Sequence, residues 1–291
     1  MVDFTNIERF FKQKSVLSNL IAINIIVFLV LKIITLACLL FKIDTGYFMS
    51  FFHLPASFES LFYRRPWTII SYFFTHIGFF HILFNLIVLF WFGKIFLYFF
   101  KPKQLGGLYV LGGIAGGLLF MTAYNLFPYF KSDVHSAYLI GASASVMAIV
   151  FATAFYRKDY EINLLLLGRI KLIYFAFFIL IIDFVIDTDN LGGSISHLGG
   201  ALIGVWFAKA YLKGKDITSS VNNLIDSFVN LFTKKEKKQK QVHRRPEGDQ
   251  EYNKKRSDKN KEIDRILDKI KKSGYNSLTE EEKKTLFNTN K

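Results

Sequence analysis

Four polar side chains lie in stretches of sequence that are otherwise apolar, and their types are those needed for acyl transfer. His81 and Asn85 are four residues apart and therefore share one face of a helix. Ser143 precedes a run of small and apolar residues, and His197 precedes a glycine-rich run. A neutral imidazole can take the proton of a serine, and the resulting oxyanion needs hydrogen-bond donors. The residues predict Ser143 as nucleophile, His197 as general base, and His81, Asn85 and the Ser143 amide as oxyanion donors.

The elements that carry these residues are predicted to be membrane-spanning helices. Of the 291 residues, 52% are hydrophobic and 33 are Phe, which is a high share for a soluble protein of this size. A helix of about 20 apolar residues crosses the hydrocarbon core of a bilayer. Six segments approach this length, and the sequence therefore predicts an all-α membrane protein with spans at 17–41, 78–100, 105–126, 138–156, 162–185 and 194–212.

Lysine and arginine residues lie mainly in alternate connections, which predicts one orientation in the membrane. They precede the first span, separate the second from the third and the fourth from the fifth, and follow the sixth. Both termini are therefore expected on the cytoplasmic side, and the even-numbered spans enter from the outer face. His81, Asn85, Ser143 and His197 all lie near the start of an even-numbered span, so we expect them at one depth just below the outer surface.

Small residues in the fourth and sixth spans predict that these two helices pack closely. In lipid, helices approach each other where their facing residues are small. Gly200 and Gly204 lie four residues apart after His197, and residues 141–152 are mostly Gly, Ala and Ser. This packing is expected to bring Ser143 within hydrogen-bond distance of His197. No carboxylate is predicted as a partner for His197, so the expected arrangement is a dyad.

Charge and apolar spacing divide the rest of the chain. The net charge is +14, and much of the Lys and Arg follows the last span, which favours anionic lipid over nucleic acid as the partner. A single cysteine excludes an intramolecular disulfide. The predicted organisation is an N-terminal cytoplasmic segment (1–16), a transmembrane bundle (17–214), an amphipathic juxtamembrane helix (215–233), a basic linker (234–260) and a small helical hairpin (261–291).

Three motifs, in this order along the chain, resemble those of the rhomboid intramembrane serine proteases. They are H-x-x-x-x-H-x-x-x-N from His76 to Asn85, G-x-S from Gly141 to Ser143, and H-x-x-G-x-x-x-G from His197 to Gly204. The resemblance covers roughly residues 15–215. It implies a six-helix rhomboid bundle in which Ser143 and His197 form the catalytic dyad and His81, Asn85 and Gly141 support the oxyanion.

The resemblance also implies the substrate class and the location. Members of this family cleave transmembrane proteins, here expected near the outer boundary of the membrane. For this chain we expect no metal and no cofactor. Transmembrane substrates and membrane lipids are therefore the expected partners. The tail resembles the short C-terminal helical segment of rhomboids from Bacteroidetes-type bacteria. Together with the lack of an organelle-targeting signal, this resemblance implies the bacterial inner membrane.

Three positions depart from the pattern that is common in the family. Thr68 stands where arginine is common in the loop between the first two spans, and Leu97 stands where many members carry glutamate. Met147 occupies a position that is often aromatic and packed on the catalytic histidine. These departures bear on how the loop is anchored and how the imidazole is oriented.

Two other classes of function stay open at this point. A catalytically inactive rhomboid-like protein would bind transmembrane helices without cleaving them, and a transporter would use His76, His81 and His197 as metal ligands. A lone serine in a small-residue helix is most often a packing residue, and a lone histidine near a helix start is commonly interfacial. The protease interpretation is favoured because predicted depth, packing and chemistry agree for Ser143 and His197. Substrate identity and oligomeric state are not predicted.

Overall fold

The computed structural model describes residues 15–164, 168–186, 190–232 and 249–287 of the chain. It divides into two compact units, Met1–Thr233 and Lys234–Lys291. The helices of the first unit, in chain order, are α1 (Val16–Leu40), α2 (Thr45–Ser50), α3 (Thr68–Ser71), α4 (Phe79–Phe99), α5 (Pro102–Leu126), α6 (Ser143–Tyr156), α7 (Leu172–Ile186), α8 (Leu191–Leu212) and α9 (Ser219–Phe232).

In the described part of the first unit, two short antiparallel strand pairs and three irregular turns connect these helices. Strand β1 (Leu54–Pro55) pairs with β2 (Tyr138–Leu139), and β3 (Glu161–Leu164) pairs with β4 (Gly168–Lys171). The turns are a π-helical turn at Ser60–Arg64 and 3₁₀ turns at Tyr72–Phe74 and Pro128–Asp133. The first pair ties the loop between α1 and α4 to the segment that leads into α6.

Among the described residues, four helices are long and apolar enough to cross a membrane, namely α1, α4, α5 and α8. The remaining apolar helices, α6 and α7, are shorter, with 14 and 15 residues. The prediction of an all-α membrane protein is confirmed, and the count of six spanning helices stays a prediction.

The predicted bounds of the fourth and fifth spans were wrong at their starts. Helix α6 begins at Ser143 rather than at residue 138, because the preceding residues form β2 and a tight turn. Helix α7 begins at Leu172 rather than at residue 162, and the residues before it form the β3–β4 hairpin. Polar and apolar residues alternate in the EIN and RIK segments of this hairpin, which is the period-two pattern of a strand.

Helix α6 lies at the centre of the bundle, and its residues from Ala144 to Ala154 are buried. It packs backbone to backbone on α8, because a Cβ atom on Gly200 would overlap the carbonyl oxygen of Ala144 and one on Gly204 would overlap that of Ala148. Glycines of α5 allow equally close contact, since a Cβ atom on Gly112 would lie 2.5 Å from that of Ala148. The expected approach of the fourth and sixth apolar helices is thus present, and α5 takes part in it as well.

The loop between α1 and α4 is anchored by two side chains near Thr68. Arg65 donates a hydrogen bond of 2.6 Å to the carbonyl of Ser50, and the indole N–H of Trp67 donates one of 2.8 Å to that of Phe51. The Thr68 side chain is buried and donates to the carbonyl of Arg65. Arg65 and Trp67 therefore anchor this loop. The family pattern in the sequence analysis places an arginine at position 68, which is Thr68 in this chain.

Helix α9 lies against the start of α5. Gln104 donates to the Asp216 carboxylate at 2.8 Å, and Lys103 forms an ion pair with Asp226 at 2.5 Å. A Cβ atom on Gly107 would lie 2.7 Å from Oδ1 of Asn222 in α9, so the two helices meet closely. Helix α9 covers Ser219–Phe232 of the segment in which an amphipathic juxtamembrane helix was predicted, and one of its faces contacts protein.

The second unit contains α10 (Asp249–Ser273) and α11 (Glu280–Phe287), joined by a 3₁₀ turn at Tyr275–Ser277. Among its described residues, Ile266 and Leu278 are the buried apolar ones. A hairpin was predicted at 261–291, but its first helix begins at Asp249, inside the predicted linker. The rest of that linker and most of the N-terminal segment lie outside the described residues.

Thr279 and Glu282 form a capping box at the start of α11. The Thr279 N–H donates to the Glu282 carboxylate at 2.8 Å, and the Glu282 N–H donates to the Thr279 hydroxyl at 3.3 Å. Lys269 donates to the same carboxylate at 2.8 Å. The Lys269 hydrogen bond, followed by that from Thr279, lowers the pKa of Glu282 to about 2.

Candidate active site

The turn before α6 places Ser143 at the first position of that helix. Gly141 has a φ angle of 107°, which disfavours any residue with a side chain, and a Cβ atom there would lie 2.6 Å from Nε2 of His81. The Gly141 N–H donates to the carbonyl of Tyr72 at 3.0 Å. Gly141 is thus needed both for its backbone conformation and for the space taken by the His81 ring.

Ser143 and His197 are in hydrogen-bond contact. The Oγ atom of Ser143 lies 2.5 Å from Nε2 of His197, and both side chains are half-buried. Ser143 begins α6, and His197 lies in the second turn of α8. The close contact of these two helices, through Gly200 and Gly204, accounts for the short distance.

The expectation that His197 lacks a carboxylate partner was wrong. Asp183, in the last turn of α7, places Oδ2 2.7 Å from Nδ1 of His197. The two side chains are 19% and 15% exposed. A signal for Asp183 was present in the sequence, because it is a carboxylate within an otherwise apolar segment, and such residues are functional candidates.

The Asp183 contact assigns the tautomer of His197. An ionised carboxylate only accepts hydrogen bonds, so Nδ1 of His197 carries the proton. The neutral ring then has a lone pair on Nε2, and this atom accepts the hydrogen bond from the Ser143 hydroxyl. The ring nitrogen that faces Ser143 is therefore the basic one.

His81 and Asn85 line the same cavity as Ser143 and His197. This cavity has a volume of about 650 Å³ and is bounded by α4, α6, α7 and α8. The carboxamide of Asn85 donates to the backbone carbonyl of His81 at 2.9 Å, and its second N–H is not used by that bond. The two residues expected on one face of a helix thus line the cavity together with Ser143.

The backbone N–H of Ser143 lies at the start of α6. The hydrogen-bond ladder of α6 starts with the Val146 N–H, which donates to the carbonyl of Ala142 at 2.9 Å. The N–H groups of a first helical turn have no intrahelical partner, and the helix dipole makes this end positive. An anion formed beside Ser143 would lie at this end of α6.

His76 lies outside the cavity and supports the turn before Ser143, as expected. Its Nε2 accepts a hydrogen bond of 3.3 Å from the Ala142 N–H, and its ring meets that of His81 edge-on at 5.0 Å. Burial, and then the neighbouring His81, lower the pKa of His76 to about 4. His76 is therefore neutral at physiological pH and can serve as an acceptor.

The other candidate positions take no direct part in the Ser143–His197 contact. Met147 is mostly buried and lines the cavity, and Leu97 packs partly buried against the core. Within the described part of the chain, no group of three or more His, Cys, Asp or Glu side chains is arranged to hold a metal ion. The polar side chains around the cavity include a serine, two imidazoles, a carboxylate and a carboxamide.

Comparison with known protein families gives two matches. Residues 63–214, slightly more than half of the chain, match the model of the rhomboid domain. Residues 248–288 match the model of a family of unknown function, DUF6576. No curated protein matches the chain. The first match contains all four of the predicted active-site residues as well as Asp183, and the second covers the helical hairpin of the second unit.

Proposed function

This chain belongs to the rhomboid family, and we propose that it is an intramembrane serine endopeptidase that cleaves transmembrane proteins near the outer boundary of the membrane. The observation that carries the proposal is the distance of 2.5 Å between Ser143 Oγ and His197 Nε2. Catalysis by a serine needs a base within hydrogen-bond reach of its hydroxyl.

The reaction begins when Nε2 of His197 takes the hydroxyl proton as Ser143 Oγ attacks the peptide carbonyl. The oxyanion that forms accepts hydrogen bonds from the Ser143 N–H, the second N–H of Asn85 and an N–H of the His81 ring. The imidazolium then gives its proton to the leaving amine, and an acyl-enzyme remains on Ser143. Water, activated by His197, hydrolyses this ester and restores the serine.

The proposed position of the reaction follows from where the residues lie along their helices. His81 is in the first turn of α4, Ser143 begins α6, His197 is in the second turn of α8, and Asp183 is in the last turn of α7. The charge distribution of the connections favours the outer face for this end of the bundle. We place the protein in the bacterial inner membrane with both termini in the cytoplasm, and lipid contacts its apolar outer surface.

The proposal is tested by cleavage of a single-span reporter protein in reconstituted vesicles. Ser143→Ala should abolish cleavage, whereas Ser145→Ala, a change of the same kind two residues further on, should retain it. The Ser145 hydroxyl is buried without a hydrogen-bond partner among the described residues, so its loss removes no bond. Cleavage that continues in Ser143→Ala would refute the proposal.

A folded wild-type protein that cleaves no reporter would favour the alternative of a rhomboid-like protein that binds transmembrane helices. Co-purification of an uncut reporter in equal amounts with wild type and Ser143→Ala would then support binding without catalysis.

A further inference from the structure

The carboxylate of Asp183 touches none of the atoms that react in the proposed mechanism. It belongs to α7, whose sequence LIYFAFFILIIDFVI contains one carboxylate and is otherwise apolar or aromatic. A carboxylate within an apolar segment of a membrane protein is costly unless a partner compensates for the lost water. The Nδ1 atom of His197 supplies such a partner, 2.7 Å from Oδ2 of Asp183.

The geometry of this contact is that of an orienting group behind a catalytic base. The His197 ring is held at both nitrogens, by Asp183 on one side and by Ser143 on the other, at 2.7 and 2.5 Å. Three different helices, α7, α8 and α6, supply the three side chains. Because the ring is bound at both ends, its rotation about the Cβ–Cγ bond is restricted and its basic nitrogen stays on Ser143.

We propose that Asp183 is a positioning residue of the hydrolytic reaction, so that the site works as an Asp183–His197–Ser143 triad rather than as a dyad; this inference rests on the proposed function. Asp183 holds the proton on Nδ1 and thereby keeps Nε2 free to accept the serine proton. When that proton moves from Ser143 Oγ to Nε2, the ring becomes a cation and the carboxylate stabilises it. The Nδ1 proton stays on the ring throughout.

A consequence is that the position of α7 becomes part of the catalytic geometry. Helix α7 contributes Asp183 to the site, and Ile179 of the same helix lines the cavity. A movement of α7 away from α8 would remove the carboxylate from Nδ1 while leaving Ser143 and His197 on their own helices. Activity would then fall although the nucleophile and the base remained in contact.

The test compares Asp183→Asn and Asp183→Glu with wild type in reporter cleavage. Asparagine has nearly the same shape as aspartate, and its carbonyl oxygen can still accept a hydrogen bond from the Nδ1–H of His197. However, it carries no charge, and its NH₂ group can instead donate to Nδ1 and so favour the tautomer with the proton on Nε2. We expect kcat to fall by ~10²- to 10⁴-fold in Asp183→Asn with KM changed less than about threefold. Asp183→Glu should recover part of this loss because it restores a carboxylate. Asp133→Asn, an exposed carboxylate-to-amide change in the loop before α6, is the matched control.

A purely structural tie between α7 and α8 would give a different result, because asparagine can keep the hydrogen bond. Equal kcat in wild type and Asp183→Asn would therefore overturn the inference. If wild type itself does not cleave the reporter, the proposed function fails first.

A second measurement determines the tautomer of His197 in the wild-type protein itself. In wild-type protein with ¹⁵N-labelled histidine, the His197 signals, identified by their loss in His197→Gln, should show a protonated Nδ1 and an unprotonated Nε2. A proton on Nε2 in the neutral ring would contradict the role of Asp183.

Discussion

Adding one methyl group at Gly200 should damage both the stability of the bundle and the geometry of the active site. The Cβ atom of Gly200→Ala would overlap the carbonyl oxygen of Ala144, which is part of the α6 backbone and cannot rotate away. Alanine raises helix propensity by up to about 1 kcal/mol, but overpacking typically costs about 1–3 kcal/mol and more against backbone. We expect a net loss of about 2 kcal/mol in the free energy of unfolding.

The same methyl group should reduce activity, because α8 must move away from α6 to admit it. Gly200 lies less than one turn after His197, so His197 Nε2 moves with it, away from its position 2.5 Å from Ser143. A displacement of roughly 1 Å between reacting groups can cost on the order of 100-fold in rate. Thermal unfolding and the rate of reporter cleavage, measured on the same vesicle preparation, check the two effects together.

Gly106→Ala is the matched control for Gly200→Ala. Its Cβ atom would meet only the Val16 side chain, at an ordinary distance of 3.4 Å, so stability and activity should be unchanged or slightly raised. Wild-type stability and activity in Gly200→Ala would refute the conclusion that backbone contact between α6 and α8 holds the active site together.

Three further predictions follow from contacts outside the reacting atoms. His76→Ala removes the acceptor for the Ala142 N–H and should lower reporter cleavage about tenfold through a looser turn before Ser143, whereas the exposed His135→Ala should not. Arg65→Ala removes the hydrogen bond to the Ser50 carbonyl and should lower the free energy of unfolding by about 1–2 kcal/mol, measured by thermal unfolding. Arg64 is exposed, and an equal effect of Arg64→Ala would contradict this role for Arg65. Because the folded pKa of Glu282 is depressed to about 2 from 4.5, its contribution to the stability of the second unit is fully present above pH 4.5 and is lost as pH falls toward 2. Hydrogen exchange of residues 253–287 should show this loss in wild type and a weaker pH dependence in Glu282→Gln; identical pH profiles would contradict the assignment.

The site residues that were predicted from the sequence can be recognised from their immediate neighbours along the chain. His81 and Asn85 are four residues apart, and Ser143 and His197 stand where an apolar segment begins. Periodicity and the known length of a membrane span are enough to place such residues at one end of a bundle. The glycines at 200 and 204 mark the contact between their helices because small residues allow close approach in lipid.

Asp183 was missed because its role depends on how α7 is rotated in the bundle. Helix α7 is apolar on all sides, so its sequence pattern does not define a face that would direct Asp183 toward α8. The thirteen residues between Asp183 and His197 were also divided among the end of the fifth predicted span, a loop and the start of the sixth. Only the packed structure brings Oδ2 of Asp183 to His197.

The β3–β4 hairpin was missed for a different physical reason. A short apolar run such as INLLLL fits the start of a buried helix as well as a strand, and the helix was preferred because it completed a span. The alternation around Ile162 and Ile170, and the positive φ of Gly168, reveal strand and turn once the backbone is known. Pairing between strands is a tertiary contact, and the sequence of a four-residue strand does little to specify its partner.

The central claim is that His197 activates Ser143, and covalent labelling by a fluorescent fluorophosphonate tests it most directly. Purified, lipid-reconstituted wild type and Ser145→Ala should be labelled, with the adduct located on Ser143 by mass spectrometry, and labelling should be lost in Ser143→Ala and His197→Ala. Labelling that persists in Ser143→Ala, or its absence from folded wild type, would contradict the account.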